Sequence, residues 1–197
     1  FITPMAAVAG AVADELMACY RREGIDRAWV NNGGDIALHL APEHSVRVGL
    51  FADLARLDGA AARDALGLGQ DEGLMLDGAF TVTAALPVRG VATSGWRGRS
   101  FSLGIADSVT VLARTGADAD AAATVIANAV NIDDSRIRRV PACELKDDTD
   151  LAAIRVTVDV PLLGADSVRH ALAAGAHCAR ELQARGLLRI GRAAVLV

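Results

Sequence analysis

The sequence has little of what marks nucleic-acid-binding and membrane-spanning proteins. Only 4% of its 197 residues are aromatic, and 20 Lys and Arg against 24 Asp and Glu leave a net charge of −4. Without a basic surface or many stacking side chains, the chain is not expected to bind nucleic acid or anionic lipid. Its opening uncharged run, Phe1 to Ala13, is too short to span a bilayer and carries no basic residue. We therefore expect neither a nucleic-acid nor a membrane partner.

Cysteine is also scarce. Cys19, Cys143 and Cys178 are widely separated, odd in number and form no Cys-x-x-Cys pair. This usage predicts free, buried thiols in a reducing, cytoplasmic compartment. A chain of this length is expected to form one domain, 1–197, whose core needs no disulfide or structural metal. Because the sequence opens on Phe1 rather than Met, we expect that domain to lack an upstream N-terminal segment.

Small aliphatic residues are abundant, and hydrophobic residues make up 52% of the chain. Their spacing predicts helices over 5–22, 117–130 and 166–185. Short β-branched runs bounded by turns outnumber these helices, which favours an α+β fold with helices on one face of a largely antiparallel sheet. The predicted strands cover 27–30, 36–41, 45–51, 79–85, 88–92, 101–105, 108–113, 136–140, 153–160 and 187–197, with an irregular loop over 53–73 and a charged turn over 144–150.

Capping residues set the expected helix ends. Thr3 and Asp166 are predicted N-caps, and Gly24 and Gly186 are predicted to follow the C-termini of the first and last helices. Nearly every position of the first helix is apolar, so we expect that helix to be largely buried.

The first motif with chemical potential is the run Asn31-Asn32-Gly33-Gly34-Asp35 between two predicted strands. Paired glycines permit positive φ and let a ligand approach the backbone, and the amides and carboxylate would make a polar rim. The same residues are also typical of a tight hairpin. The spacing alone leaves both interpretations open.

The second motif, Thr93-Ser94-Gly95, ends another predicted strand. Consecutive N–H groups in such a turn can bind phosphate or carboxylate oxygens, and a plain polar turn is the alternative. Ser94 is not expected to be a nucleophile, because no neighbouring residue in the sequence supplies a base.

The third motif is Asp120 with Thr124, one turn apart on the alanine-rich second helix. A carboxylate and a hydroxyl on one face suit a hard cation such as Mg²⁺ that keeps several waters, and Asn128 continues the stripe. The alternative is that Asp118 or Asp120 caps the helix.

These motifs, in this order, resemble the ApbE family of Mg²⁺-dependent FAD:protein FMN transferases. That family has a strand ending in Gly-Gly-Asp, a later Thr-Ser-Gly turn and a helix with Asp-x-x-x-Thr. The opening run Ile2–Gly10 is similar to its first helix. The likeness covers most of residues 1–131 and looks closer still to an uncharacterised bacterial and archaeal family that groups with ApbE and shares its fold.

The resemblance implies an ApbE-like, T-fold-related fold and specific roles for residues. It implies that FAD or another nucleotide is the cofactor and that Mg²⁺ is held by Asp120 and Thr124. It gives the first two motifs the cofactor-binding role, namely Asn32, Gly33, Gly34, Asp35, Thr93, Ser94 and Gly95. The chain departs from the family at Thr3 and Ala9, where the family has an acid and a lysine. It also has Phe101–Asp107 where the family carries its catalytic His, so no catalytic residue is assigned.

The resemblance therefore implies a flavin- or nucleotide-handling protein with a Mg²⁺-dependent site. FMN transfer is the catalytic activity that such a site could support. Two alternatives stay open: a ligand-binding module without catalysis, or a different small-molecule enzyme on the same fold. The partner is a small-molecule ligand. The apolar start of the chain also predicts a homodimer, or pairing with a missing N-terminal segment.

Overall fold

The computed structural model describes residues 1–50, 78–186 and 193–196. The loop expected over 53–73 lies outside them, as does most of the strand expected over 187–197. The helices are α1 (Val8–Ala18), α2 (Gly116–Ala129) and α3 (Ala165–Ala184). The strands are β1 (Arg27–Asn32), β2 (Asp35–Leu40), β3 (Ser45–Leu50), β4 (Gly78–Thr83), β5 (Gly90–Ser94), β6 (Ser108–Ala113), β7 (Arg138–Pro141), β8 (Arg155–Asp159) and β9 (Ala193–Leu196).

The main sheet has the order β1-β2-β5-β6-β9, and every neighbouring pair is antiparallel. Helix α1 packs on β1 and β2, and α2 packs on β5 and β6. The antiparallel pairs β3–β4 and β7–β8 form two separate two-stranded sheets. The α+β prediction, with α1 and α2 packed on a mainly antiparallel sheet, is confirmed.

Successive side chains of a strand point to opposite faces of the sheet. In β2, the small side chain of Ala37 therefore points to one face and the large side chain of Leu38 to the other. Ala37 of β2 packs with Ala13 and Met17 of α1, so small residues face that helix. Leu38, the next residue of β2, points to the other face and packs with Val82 of β4. Short side chains therefore let the helices lie close to the sheet, while the β3–β4 hairpin covers the bulkier face.

Helices α1 and α2 touch through their backbones near Gly10. A Cβ at Gly10 would overlap the carbonyl oxygen of Gly116, the first residue of α2. Asp14 of α1 accepts hydrogen bonds at 2.9 Å from the backbone N–H groups of both Gly116 and Ala117. The start of α2 is thus capped by a side chain from α1. The sequence pattern gave no sign of this role for Asp14.

The first predicted helix is shorter and more exposed than expected. A 3-10 turn over Pro4–Ala7 precedes α1, which ends at Ala18, so Gly24, at φ +83°, lies well beyond it. Thr3 occupies the N-cap position of the turn but makes no capping bond. The expectation that this helix is largely buried is wrong, because only one face packs on the sheet and on α2. The opposite face exposes Val8, Val12 and Leu16.

Two further local predictions are wrong. Residues 101–105 form no strand, because their backbone bonds the C-terminal end of α2 instead of a neighbouring strand; Ile105 N–H donates to the Val130 carbonyl at 2.8 Å. Gly164, not Asp166, is the N-cap of α3, and Asp166 lies in the first turn. Gly186, at φ +68°, does follow the last helix, as predicted.

The cysteines are free, as predicted, but not buried. Cys19 and Cys143 are exposed and Cys178 is partly buried. Within the described ranges, no helix combines the length and hydropathy needed to cross a membrane.

Candidate functional site

A cleft of about 420 Å³ opens beside the start of α1 and the middle of α2. This volume lies within the range of small-molecule sites. Its acidic side chains are Asp35, Asp120, Asp148 and Asp150, its basic ones Arg99 and Lys146, and its hydroxyl and amide groups Thr3, Ser100, Thr124, Asn128 and Thr149. The apolar lining consists of Phe1, Ile2, Met5, Ala6, Ala9, Phe101, Leu103 and Leu151.

The first motif forms a two-residue hairpin loop between β1 and β2. Asn32 pairs with Asp35, and Gly33 and Gly34 between them have φ of +71° and +115°. Two consecutive positive φ angles match the right-handed twist of the strands, which explains the two glycines. The Asn31 Oδ1 accepts a hydrogen bond from the Gly34 N–H at 2.8 Å. The hairpin interpretation is therefore correct.

Only Asp35 of this motif lines the cleft. Asn32 is occupied elsewhere, because its Nδ2 donates to the Ala9 carbonyl at 3.1 Å and ties the hairpin to α1. Gly33 and Gly34 are not part of the lining. The hairpin thus works as a support that carries Asp35 to the cleft wall.

The second motif lies behind the cleft rather than in its wall. The Thr93 hydroxyl is hydrogen bonded to the Thr110 hydroxyl on β6 at 2.8 Å. A Cβ at Gly95 would overlap the Asp107 carbonyl oxygen, so this glycine serves close backbone packing. The link from this motif to the cleft is the Thr93 backbone N–H, which stabilises the Asp35 carboxylate. The anion-binding role of Thr93, Ser94 and Gly95 stays a prediction.

Asp120 and Thr124 of the third motif both line the cleft, as does Asn128 one turn later. The interpretation of Asp118 or Asp120 as the helix cap is wrong. Thr115 is the N-cap of α2, and its side chain accepts from the Asp118 N–H at 3.0 Å.

Asp120 instead bonds the start of the other helix. Its Oδ2 accepts from the Gly10 N–H at 2.9 Å, in the first turn of α1. Because Asp14 of α1 caps α2 in the same way, the two helices cap one another across their contact. The N–H groups of Gly10 and Ala9 use only part of the acceptor capacity of this carboxylate, so Asp120 can still bind a ligand in the cleft.

The electrostatics couple the two carboxylates in the cleft wall. Burial, and after it repulsion from Asp120, raise the pKa of Asp35 to about 7, while the Thr93 N–H acts in the opposite direction. Burial also raises the pKa of Asp120, against the stabilising backbone N–H groups of Gly10 and Ala9. The cleft therefore holds two carboxylates that lack a compensating positive charge.

A divalent cation would compensate them, but the protein alone supplies few ligands. Within the described part of the chain, no group of three or more His, Cys, Asp and Glu side chains is placed to hold a metal. The Asp120 carboxylate and Thr124 hydroxyl fit the oxygen ligands that Mg²⁺ prefers. The remaining positions would fall to water or to oxygens of a bound ligand.

Lys146 and residues 148–151 line the cleft from far along the sequence, and motif reasoning gave them no role. They follow the 3-10 turn Ala142–Glu144, and the Thr3 hydroxyl bonds the Asp150 carboxylate across the cleft. The only signal was the charged run predicted as a turn. Arg99 and Ser100 were missed too, because they follow the Thr-Ser-Gly motif without belonging to it.

Asn128 shows how α2 shapes the opposite wall. Its Oδ1 accepts from the Leu103 N–H at 2.9 Å and from the Ser102 hydroxyl at 3.3 Å. A Cβ at Gly104 would overlap the Ala127 carbonyl oxygen, so the segment runs close along the helix. This contact places Phe101 and Leu103 in the cleft, where the resemblance puts the family's catalytic histidine.

The profile of the family described as AbpE bacteria matches residues 1–197, and the chain belongs to that family. A UPF0280 protein from Methanospirillum hungatei is 37% identical over 134 residues, which is 68% of this chain and 47% of the relative. A UPF0280 protein from Methanopyrus kandleri is 38% identical over 149 residues, 75% of this chain and 51% of the relative. No solved structure matches the chain significantly.

The chain spans about half the length of the curated relatives that it matches. Their names state no activity and no ligand. The family assignment supports the resemblance to an uncharacterised bacterial and archaeal family. The link to the FMN transferases of the ApbE family stays a prediction.

Proposed function

We propose that the cleft binds a flavin or another nucleotide together with Mg²⁺, with Asp120 and Thr124 as the protein ligands of the metal. The observation that carries this proposal is the convergence of Asp35, Asp120 and Thr124 on one cleft, although they come from a hairpin and a distant helix. Buried carboxylates with raised pKa values favour a bound cation, since it offsets their desolvation and repulsion.

Nucleotide binding is better supported by the residues of the cleft than transfer of FMN to a target protein. Transfer of FMN to a target hydroxyl needs a base near the reacting atoms. No histidine among the described residues lines the cleft. The wall contributed by Phe101 and Leu103 is apolar and suits the face of a ring system. We therefore place nucleotide binding first and FMN transfer as an additional activity to be tested on the same protein.

Calorimetric titration with FAD, in MgCl₂ and in EDTA, tests this proposal. We expect binding that requires Mg²⁺ and that falls about tenfold or more in Asp120→Asn and Thr124→Val, because each removes one metal ligand. Asp118→Asn is the matched control, since that residue is exposed on the same helix and does not line the cleft. Equal FAD affinity in all variants, or equal affinity in EDTA, would refute the metal assignment.

We also propose that the chain forms a homodimer through the exposed face of α1. Val8, Val12 and Leu16 follow one another at helical spacing on α1 and are 39%, 45% and 52% exposed. A continuous apolar stripe of this kind is typical of an interaction surface. Multi-angle light scattering is expected to give twice the chain mass, and Leu16→Glu is expected to give the monomer. A wild-type monomer at high micromolar concentration would refute this proposal.

A further inference from the structure

The cleft contains two basic side chains from separate parts of the chain. Arg99 follows β5, and Lys146 follows the 3-10 turn Ala142–Glu144. Lys146 is the only lysine in the whole sequence. Arg99 Nη1 lies 4.0 Å from the position that a Cβ would occupy at Gly33, so it extends beside the hairpin that carries Asp35.

Among the described residues, no carboxylate is paired with either of these two cations, although four aspartates line the same cleft. Arg97, two residues before Arg99, differs: its Nε bonds the Asp107 carboxylate at 2.7 Å and its guanidinium lies 4.8 Å from the Trp96 ring centroid. The turn is therefore held by Arg97, which leaves Arg99 available to a ligand.

A hydroxyl accompanies each cation in the cleft wall. Ser100 is next to Arg99, and Thr149 follows Lys146 in the same turn. Two cations and two hydroxyl donors around one opening can bind several oxygens of one anionic group. The carboxylates Asp35 and Asp120 lie in the same cleft and would repel that anion unless a cation lies between them.

We propose that Arg99, Ser100, Lys146 and Thr149 form a phosphate-binding subsite of the cleft. It takes the phosphoryl oxygens of a mono- or diphosphate ligand. This inference rests on the proposed function, because a Mg²⁺ ion at Asp120 would bridge the acidic side to the same phosphates. Arginine favours phosphate because its planar guanidinium can donate two parallel hydrogen bonds, and lysine adds a compact positive charge.

The single lysine gives a direct test without any flavin. The protein is trace-labelled with acetic anhydride, and mass spectrometry of the peptide that contains Lys146 measures its rate of acetylation. We expect inorganic pyrophosphate with Mg²⁺ to slow this rate at millimolar concentration or below. Arg99→Ala is expected to raise the half-protecting concentration about tenfold. Arg47→Ala, an equal charge change on β3 away from the cleft, is expected to leave it unchanged.

Three results of this acetylation experiment would contradict the proposed phosphate-binding subsite. Unprotected Lys146 at about 10 mM pyrophosphate would overturn it, as would equal protection in Arg99→Ala. Malonate that protects at lower concentration than pyrophosphate would replace the phosphate assignment with a dicarboxylate. Thermal melting of both variants shows whether they are folded, and their exposed side chains predict that they are.

The subsite and the proposed function can fail separately. If FAD binds with Mg²⁺ but with equal affinity in Arg99→Ala and Lys146→Ala, the subsite is wrong and the function stands. If pyrophosphate protects Lys146 but FAD does not bind, the subsite stands and the flavin assignment is wrong.

Discussion

Replacing Asp35 with Asn should remove the loss of stability that the titration of Asp35 is expected to cause between about pH 5 and about pH 8. The native carboxyl has a pKa raised from 3.8 to about 7 by burial and by Asp120. In that pH range the unfolded chain has already released this proton while the native state still holds it. Stability therefore falls as the pH rises, until the native group ionises near pH 7 and the loss levels off.

The structure sets the size of this effect. With a folded pKa of about 7 and an unfolded pKa of 3.8, linkage gives a ceiling of about 2.6 kcal/mol between about pH 5 and about pH 8. Asp35 is only partly buried, so solvent screening reduces the expected loss to about 1–2 kcal/mol. Asn keeps the size of the side chain and still accepts a hydrogen bond from the Thr93 N–H.

Urea denaturation of wild type and Asp35→Asn at the two pH values measures the effect as a difference of differences, in which titrating groups that are not coupled to Asp35 cancel. Asp159→Asn is the matched control, because this aspartate is exposed at the end of β8 and outside the cleft. The reasoning fails if wild type and Asp35→Asn lose the same free energy of unfolding between the two pH values, or if Asp159→Asn removes the loss equally well.

Other substitutions test the helix contact and the turn behind the cleft. Gly10→Ala should lower the free energy of unfolding by about 2–4 kcal/mol, because the added Cβ would overlap the backbone of α2. Gly164→Ala is the control: a Cβ there meets nothing within 4 Å, so the same denaturation assay should show a loss of less than about 1 kcal/mol. Asp14→Ala should cost about 2 kcal/mol because two N–H groups at the start of α2 lose their acceptor; an unchanged denaturation midpoint would contradict this. Asp107→Ala should shift the fluorescence of Trp96 to longer wavelength, because the indole N–H loses its bond at 3.0 Å; an unchanged spectrum would show that the ring is held otherwise.

The elements of the fold were predictable because their local signals agree with the tertiary structure. The β1–β2 hairpin combines a glycine pair with strands that carry alternating apolar residues, and β6 is rich in β-branched residues and buried at every position except Leu112. The strand predicted over 101–105 failed for a tertiary reason. Its residues alternate suitably, but Gly104 brings the backbone against α2, and the bonding groups of the segment are satisfied by the helix.

The burial of the first helix was beyond sequence reasoning for a different reason. Apolar residues occupy both faces of α1, so periodicity does not indicate which face packs. The structure selects the face with Gly10, Ala13 and Met17, because Gly10 allows the backbone contact with α2 while Ala13 and Met17 pack with Ala37 of the sheet. Val12 and Leu16 are too large for that contact and remain exposed.

The candidate site was predictable only in part, because a cleft assembles residues that no local pattern links. Asp35, Asp120 and Thr124 belong to motifs and were found by spacing. Arg99 and Lys146 belong to none, and only the close approach of their segments gives them a shared environment. A single Arg or Lys in a sequence is usually a solvated surface group. The lack of a carboxylate partner indicates a binding role only when the structure shows which groups surround that side chain.

The mutual capping of α1 and α2 ties the candidate site to the stability of the fold. Asp120 is positioned both by its place on α2 and by its bond to the Gly10 N–H, so the carboxylate orientation depends on the helix contact that it helps to hold. Asp14 fixes the start of α2 from the other side. A cation that binds Asp120 would therefore contact a carboxylate that is already oriented. Little side-chain conformational entropy would be lost on binding. The same geometry means that Asp120→Ala removes the acceptor for the Gly10 N–H together with the proposed metal ligand, whereas Asp120→Asn keeps that acceptor and removes the charge. Only the second substitution separates the contribution of Asp120 to the fold from its contribution to binding.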